Sequence, residues 1–495
     1  MPDPAPTAAP AQRLSGQTRL AIGLLLVSSF VVILNETIIS VAIPVIMTDM
    51  GLSAATGQWL ATAFMLTMAI VIPVTGYLLQ RFQTRPIFMA AMGLFSLGTL
   101  LAGLAPTFAI LVAARVIQAS GTAVMLPLLM TTLMTLVPPA ARGRTMGNVS
   151  IVMAVAPAIG PAVSGLVMSV LPWRWIFFLV VPIAVLALVL GILRVPNVGD
   201  PRRLPLDVIS VVLAALAFGG LIYGLSSLGQ AAQGDALLPW WPPVLVGTIA
   251  LVAFVARQLR NQRIGRALLD LRVFASHSFT MSVAMMLGLM LSLFGAIILL
   301  PIYLSDARDL DPLVIGLSLL PGGVCMGILG PLAGRIYDRR GPRILLVPGS
   351  LIVVTALAGM ALTLTAHSSA LVVVGWHVWL SLGLGLLFTP LFTSALGALP
   401  AHLYSHGSAV VGTVQQLAAA AGTALFIVVL TVAQLAASSA GAGTAEAVAE
   451  GTRAAFGWGA GMALLIVVAA LFVRRQPVSA AAGAPAPTAE HTVTR

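Results

Sequence analysis

Long runs of residues without an acidic or basic side chain dominate this sequence of 495 residues. A helix that crosses a lipid bilayer needs about 20 predominantly apolar residues, and most of the runs reach that length. They cover residues 20–35, 50–80, 86–114, 116–141, 145–173, 175–193, 208–234, 236–256, 273–305, 312–334, 344–445 and 454–473. The sequence therefore predicts an all-α integral membrane protein.

The composition excludes several other classes of protein. Of all residues, 59% are hydrophobic and 8% are charged, whereas a soluble domain carries about 25% charged residues. Such a chain cannot cover itself with a polar surface. This excludes a soluble enzyme, a disordered protein and a disulfide-rich secreted scaffold. The single cysteine, Cys325, cannot form an intramolecular disulfide.

The arginines set the number of spans and their direction. Polar or turn-forming breaks at 365–370 and 400–407 divide the run 344–445 into three spans, which gives 14 transmembrane helices. All 25 basic residues are arginine; with the N-terminus in the cytoplasm, 21 fall in cytoplasmic segments, three outside and one, Arg115, within a span. Because positive charge is retained in the cytoplasm, we expect both termini there. This retention also explains the net charge of +11, so we expect no nucleic acid as a partner.

A ten-residue pattern occurs twice, as GYLLQRFQTR at 76–85 and as GRIYDRRGPR at 334–343. The copies share a glycine and two arginines, namely Gly76, Arg81 and Arg85 in the first and Gly334, Arg339 and Arg343 in the second. Because they follow spans 2 and 10, they predict two six-helix halves with two inserted helices, the plan of a secondary transporter. The predicted units are a cytoplasmic tail 1–19, an N-terminal half 20–194, inserted helices with linkers 195–272, a C-terminal half 273–473 and a disordered cytoplasmic tail 474–495.

Three further motifs lie in the first half. Residues 34–44 read LNETIISVAIP, residues 115–121 read RVIQASG, and residues 157–165 read PAIGPAVSG. Together with the repeated loop pattern, these motifs make the chain resemble the major facilitator superfamily. Within it, the chain is similar to the fourteen-span drug:proton antiporters of the lincomycin-resistance and multidrug-efflux branch. The first loop copy departs from the family pattern, with Gln80 at the usual Asp and Gln83 at the usual Gly.

The resemblance implies a proton-coupled antiporter that exports amphipathic drugs or antibiotics across the bacterial inner membrane by alternating access. A dedicated exporter of an endogenous natural product and a non-transporting membrane sensor or scaffold are the alternatives. A phosphate-binding loop needs a lysine, which the chain lacks, so ATP is not the expected motor. We expect no enzyme activity, no cofactor and no metal. The expected partners are small organic substrates, protons and the lipid bilayer, with the monomer as the functional unit.

Glu36 and Arg115 are the charged residues deep within spans, at comparable depth. Ionisable residues inside a membrane usually serve function, and a carboxyl group between desolvation and a cation can bind and release a proton. We therefore predict that both take part in proton coupling. The alternatives are a permanently protonated Glu36 that packs helices, and an Arg115 that extends to the outer interface. Asn35 beside Glu36, and Gln118 on the face of Arg115, are candidate residues of the substrate cavity.

The fifth span contains two prolines and two glycines, Pro157, Gly160, Pro161 and Gly165. Proline removes a backbone hydrogen bond, and glycine lets helices approach closely. The resemblance implies a dry, bendable seam between the halves, whereas generic packing of a kinked helix is the alternative. We expect Gly165 to touch a neighbouring helix.

Asp338 lies among arginines at a predicted cytoplasmic turn that contains Gly341. Such a carboxylate can pair with an arginine or cap a helix end, and either contact would latch one conformation. The arginines alone are also explained by topology. Because the first copy lacks this acid, we expect it to latch less strongly.

Four arginines recur every three residues after span 8, at positions 257, 260, 263 and 266. They fit either a helix along anionic headgroups or a plain determinant of topology. Asp207 is expected to be a boundary residue of span 7, and His406 is expected in a cytoplasmic loop.

Overall fold

The computed structural model describes residues 15–198, 201, 205–233 and 239–473. Residues 1–14 and 474–495, which hold most of the predicted N-terminal tail and all of the C-terminal one, lie outside the described residues. Within the described part, the chain is all-helical, and 14 helices are long and apolar enough to cross a membrane. The prediction of 14 spans is therefore confirmed.

The helices, numbered along the chain, alternate in direction between the two ends of a bundle. They are α1 Gly16–Met50, α2 Trp59–Arg81, α3 Thr84–Leu104, α4 Phe108–Leu136, α5 Arg142–Val170, α6 Val180–Arg194, α7 Val208–Gln233, α8 Trp241–Asn261, α9 His277–Ile302, α10 Pro312–Arg340, α11 Arg343–Thr363, α12 Ala370–Gly397, α13 Tyr404–Ser439 and α14 Thr444–Phe472. Two short helices, Ala54–Gly57 and Trp175–Phe178, lie in the connections that precede α2 and α6.

The first helix is longer than its uncharged run. It continues through Glu36 and Pro44 to Met50, because one acidic residue does not interrupt a helix that is apolar on both sides. The side chain of Ser15 caps its start by accepting a hydrogen bond from the Thr18 N–H. Its end is set by Gly51, whose φ of +63° suits glycine and turns the chain away.

The helices pack as two six-helix halves. Helices α1 to α6 contact one another, as do α9 to α14. Across the halves, α5 packs on α10 and α2 packs on α13, so each contact joins the second helix of one half to the fifth helix of the other. The two inserted helices pack together, and α7 lies against both α2 and α13. The boundaries of the predicted units stay predictions.

The bundle has an arginine-rich end and an arginine-poor end. The arginine-rich end carries Arg19, Arg81, Arg85, Arg142, Arg144, Arg194, Arg257, Arg260, Arg263, Arg266, Arg272, Arg335, Arg339, Arg340 and Arg343. The arginine-poor end carries Arg174, Arg308 and Arg453. Each of these three arginines is hydrogen-bonded to another segment of the same end. Arg174 pairs with Asp49 at 3.2 Å, and Arg308 and Arg453 donate to backbone carbonyls.

Candidate functional site

Glu36 lies well inside α1, between the buried Asn35 and the half-buried Thr37. Its carboxylate interacts electrostatically with Arg115 of α4. Among the described residues, however, no ion pair within 4.0 Å joins the two side chains, and no hydrogen bond reaches the carboxylate. The two opposite charges therefore face each other inside the bundle without being locked together.

Arg115 is buried, with 1% of its surface exposed, so it does not extend to the interface. Its guanidinium carbon lies 4.0 Å from the centre of the Phe64 ring of α2. One terminal nitrogen donates to Gln118 Oε1 at 2.5 Å. A cation inside a membrane is costly unless it is bonded, and these two contacts offset part of that cost.

Gln118 has a different position from the one predicted. Its side chain is 0% exposed, and its Nε2 donates to Thr99 Oγ1 of α3 at 2.7 Å, while Oε1 accepts from Arg115. Thr99 in turn donates to the carbonyl of Phe95 at 2.6 Å. Because both ends of the amide are engaged, Gln118 does not line an open cavity in this structure; it fixes the guanidinium of Arg115.

Asn35 also does not face an open cavity here. It is 2% exposed, and within the described part of the chain its Oδ1 has no hydrogen-bond partner. An unpaired buried carbonyl oxygen is costly.

Close helix packing holds the Arg115 network in place. A Cβ atom at Gly98 of α3 would lie 2.5 Å from the backbone nitrogen of Gln118, and one at Gly121 would lie 2.7 Å from that of Phe95. Glycine at these positions lets α3 and α4 touch backbone to backbone. Gly121, the glycine of the RVIQASG motif, thus allows α4 to approach α3 closely.

Gly160 packs against the segment that carries Glu36. A Cβ atom there would lie 2.9 Å from the Cβ of Thr37, the next residue after Glu36. The Thr37 hydroxyl donates to the carbonyl of Ala156 at 3.4 Å. Pro157 and Pro161 lie inside the continuous helix α5, where each removes a backbone hydrogen bond. Through Gly160 this motif joins α5 to α1 within the first half, while its Ala158 meets Gly323 of α10 in the other half.

The expected contact at Gly165 is absent. Among the described residues, nothing lies within 4 Å of a Cβ built there, and Leu166 and Val170 beyond it are exposed. Gly165 lies on an exposed face of α5, whereas the adjacent Ser164 is buried and Val167 packs on the cluster around Ile38 of α1, so the prediction that Gly165 touches another helix is wrong for this structure.

The seam between α5 and α10 is formed by glycines nearer the arginine-rich end. A Cβ at Gly147 would lie 2.5 Å from the carbonyl oxygen of Gly330, and one at Gly143 would lie 2.7 Å from that of Gly334. Further along, Gly323 packs on Ala158. Gly143 and Gly147 are not among the site residues predicted from the sequence, although glycines four residues apart, at 143/147, 323/327 and 330/334, are a signal for close helix pairs.

Asp338 closes the arginine-rich end of this seam. Its Oδ1 accepts from the Gly143 N–H and its Oδ2 from the Arg144 N–H, both at 2.8 Å. Of the two contacts considered from the sequence, the carboxylate thus caps the start of α5, where the helix dipole favours a negative charge. Deeper in the seam, the hydroxyls of Ser150 and Thr389 hydrogen-bond at 2.7 Å.

The first copy of the loop pattern makes a different closure, between α2 and α13. Gly76 faces His406 and Ala409, and Gln80 Nε2 donates to the carbonyl of His402 at 3.2 Å. The neutral Gln80 makes this single bond where Asp338 makes two charged ones. His406 is buried in the first turn of α13 and does not lie in a loop, because α13 begins at Tyr404.

The remaining residues of the two loop copies lie at helix ends. Arg81 ends α2 and lies over the Phe82 ring at 5.8 Å, and the Arg85 N–H donates to Asn197 Oδ1. Arg339 is exposed in the last turn of α10, Gly341 turns the chain with a φ of +81°, and Arg343 begins α11.

In the described chain, the close α5/α10 contacts between the halves lie towards the arginine-rich end. Contacts between α5 and α10 run from Asp338 to Gly323, whereas nothing in the described chain lies within 4 Å of a Cβ at Gly165 or Gly316. A search of the described residues finds no group of His, Cys, Asp and Glu that could hold a metal ion.

The sequence matches a known family and several known proteins. The model of the Major Facilitator Superfamily matches residues 25–423. The chain is 37% identical over 400 residues to "Lincomycin resistance protein LmrB" of Listeria monocytogenes, covering 81% of this chain and 84% of that protein. It is 30% identical over 417 residues to "Multidrug resistance protein B homolog" of Mycobacterium tuberculosis, covering 82% and 76%.

Two solved structures share the fold at 14% identity. The proton:xylose symporter XylE aligns with a TM-score of 0.65 over 94% of this chain and 97% of its own. The human organic anion transporter MFSD10 aligns with a TM-score of 0.65 over 92% and 99%. At this identity the likeness concerns the fold alone.

Proposed function

Because this chain belongs to the major facilitator superfamily, we propose that it is a proton-coupled antiporter that exports amphipathic drugs or antibiotics across the bacterial inner membrane. In this proposal the arginine-rich end and both termini face the cytoplasm. Relatives named for lincomycin and multidrug resistance support drug efflux. Two complete halves within one chain support the monomer as the functional unit.

The separation of Glu36 from Arg115 is the observation that carries the proposal. A tight ion pair would hold the carboxylate ionised, whereas burial far from any cation would hold it protonated. Between these limits, a small movement of either helix changes the proton occupancy. Glu36 is thus the proposed proton carrier, and Arg115 promotes the release of the proton.

In this proposal the structure represents one step of the cycle. The α5/α10 contacts towards the arginine-rich end support an outward-facing state, in which substrate leaves and a proton binds Glu36 from outside. The halves then rock to open the cytoplasmic end, where the proton leaves and the next substrate binds. One proton enters for each substrate exported in the simplest form of this exchange.

Helix α5 connects the proton site to the cytoplasmic closure. Gly160 contacts Thr37 beside Glu36, and Gly143 at the start of the same helix is held by Asp338. The two glycines are about 26 Å apart along the helix axis. In this proposal, a shift of α1 on protonation moves α5 through the contact at Gly160. The movement strains the hydrogen bonds that Asp338 accepts at the start of α5, which supports a gating role for the second loop copy.

Everted membrane vesicles test the proposal. Vesicles that contain the protein, with an imposed acid-inside pH gradient, are expected to accumulate members of a panel of lincomycin and amphipathic cations. A protonophore should abolish the accumulation. Accumulation that is equal with and without the gradient would contradict proton coupling, and no accumulation above vesicles that lack the protein, for any compound of the panel, would contradict drug export.

A further inference from the structure

The inserted helices cover one inter-half seam and leave its counterpart uncovered. The α2/α13 and α5/α10 contacts are equivalent in the two-half plan, yet among the described residues α7 packs extensively on α2 and α13 and not on α5 or α10. Near the arginine-poor end, the rings of Trp59 on α2 and Tyr223 on α7 lie 6.0 Å apart, and Gly219 of α7 packs on Leu66. The inserted pair thus breaks the symmetry of the gate.

A polar cluster fastens α7 to α8 at the arginine-rich end. Asp207, just before α7, accepts from Arg257 Nε and from its terminal nitrogen, both at 2.8 Å, and also from Ser210 and Asn261. The hydrogen bonds from Arg257 hold the pKa of the Asp207 carboxyl well below its usual range. The cluster fixes the end of α8 and, with it, the neighbouring Gln258.

Gln258 ties the α8–α9 linker, residues 262–276, to the inserted pair. Its side chain is 0% exposed; Oε1 accepts from the backbone N–H groups of Leu268 at 2.8 Å and Leu269 at 3.2 Å, and Nε2 donates to Ser210 at 2.7 Å. Buried backbone N–H groups need partners, and this one side chain supplies two of them. The linker contains short 3₁₀ turns and forms no continuous helix along headgroups, because α8 ends at Asn261.

The linker reaches the α2/α13 closure through His406. Asp270, buried and paired with Arg272 at 2.5 Å, interacts electrostatically with the imidazole, and the backbone of Leu268 lies beside it. His406 is 4% exposed, and its Nδ1 would lie 3.1 Å from a Cβ at Gly76. Among the described residues, Nδ1 has no hydrogen-bond partner, and the linker turn Leu271–Ala275 contacts α13, so packing rather than a hydrogen bond places the imidazole between the linker and α2.

We propose that Gln258 is a positioning residue of the gate: through the linker it holds His406 against Gly76 and keeps α2 and α13 together. The inserted helices then act as a brace on one seam, while Asp338 fastens the other. This inference rests on the alternating access proposed above, but not on proton coupling or on any substrate.

Spin-label distances across the seam test this role. Labels on Phe82→Cys and Ala401→Cys, both at exposed positions in a Cys325→Ser background, report the separation at the arginine-rich end. Gln258→Met removes the acceptor of two buried N–H groups. It should raise the long-distance population roughly fivefold or more. The neighbouring exposed Leu259→Met is the matched control and should leave the distribution unchanged.

Two results would overturn the proposal: an unchanged distribution in a well-inserted Gln258→Met protein, or an equal change in Leu259→Met. If Gln258→Met fails to insert, Ser210→Ala removes the partner of Nε2 and one of the donors to Asp207, leaves both N–H bonds to Oε1 in place, and should give a smaller rise in the same direction. No rise in Ser210→Ala would then reject the brace. Because the readout needs no substrate, rejection leaves the proposed export function untouched.

Discussion

Gly160 of α5 lies so close to Thr37 of α1 that a Cβ atom on the glycine would be 2.9 Å from the Cβ of the threonine. This contact places the PAIGPAVSG motif beside the candidate proton carrier Glu36. The seam between the halves runs along another face of the same helix, from Gly143 and Gly147 to Ala158, which meets Gly323 of α10. Helix α5 therefore serves two contacts at once, and the predictions below separate them.

Enlarging Gly160 should abolish transport. Gly160→Leu forces α1 and α5 apart at Thr37, at a cost of typically 1–3 kcal/mol. We expect loss of pH-driven efflux with normal membrane insertion. Gly165→Leu is the matched control, because the space around Gly165 is open and efflux should persist. Equal loss in both variants would show that bulk anywhere on α5 is harmful, and that the Thr37 contact has no special role.

Neutralising Asp338 should loosen the arginine-rich end. Asp338→Asn removes the charge that caps α5 and one of two acceptor oxygens, a change of about 1 kcal/mol for a half-buried group. We expect slower turnover of transport. We also expect a cysteine introduced into the α5/α10 seam to react faster with a thiol-specific label. Asp311→Asn, the same change at the exposed start of α10, should alter neither rate. If Asp338→Asn shows wild-type rates of turnover and labelling, Asp338 takes no part in gating.

Gln118 should matter for coupling even though it is not open to substrate. Gln118→Leu leaves Arg115 and Thr99 without their buried partners, which costs about 1–3 kcal/mol. We expect uphill efflux to fall and its pH optimum to shift, while equilibrium binding of substrate changes little. Ser120→Ala, on an exposed face of the same helix, serves as the control. If Gln118→Leu weakens binding and leaves the pH profile unchanged, the residue contacts substrate in another conformation.

The number of spans could be read from the sequence because it depends on local composition, and the direction of the spans stays a prediction from the arginines. Uncharged runs and the asymmetry of arginines do not require knowledge of which helices touch. The partner of each site residue does require it. Asp338 bonds to Gly143, 195 residues away in the chain, so the sequence left helix capping and arginine pairing open.

Glycine contacts show the same limit. Gly160 and Gly165 belong to one motif, yet one packs tightly and the other faces open space, because they lie on different faces of α5 and only the face of Gly160 meets α1. Spacing places Gln118 on the face of Arg115, but the hydrogen bond to Thr99 comes from α3 and has no signal in the local sequence. Tertiary packing decided these details.

Proton release on substrate binding tests the central claim most directly. Substrate identified in the vesicle assay is added to weakly buffered, detergent-solubilised protein, and the released protons are measured with a pH indicator. Wild-type protein should release protons, whereas Glu36→Gln, which cannot ionise at this position, should bind substrate and release none. Proton release from Glu36→Gln equal to that of the wild type, together with uphill efflux by the variant, would contradict the assignment of Glu36 as the proton carrier.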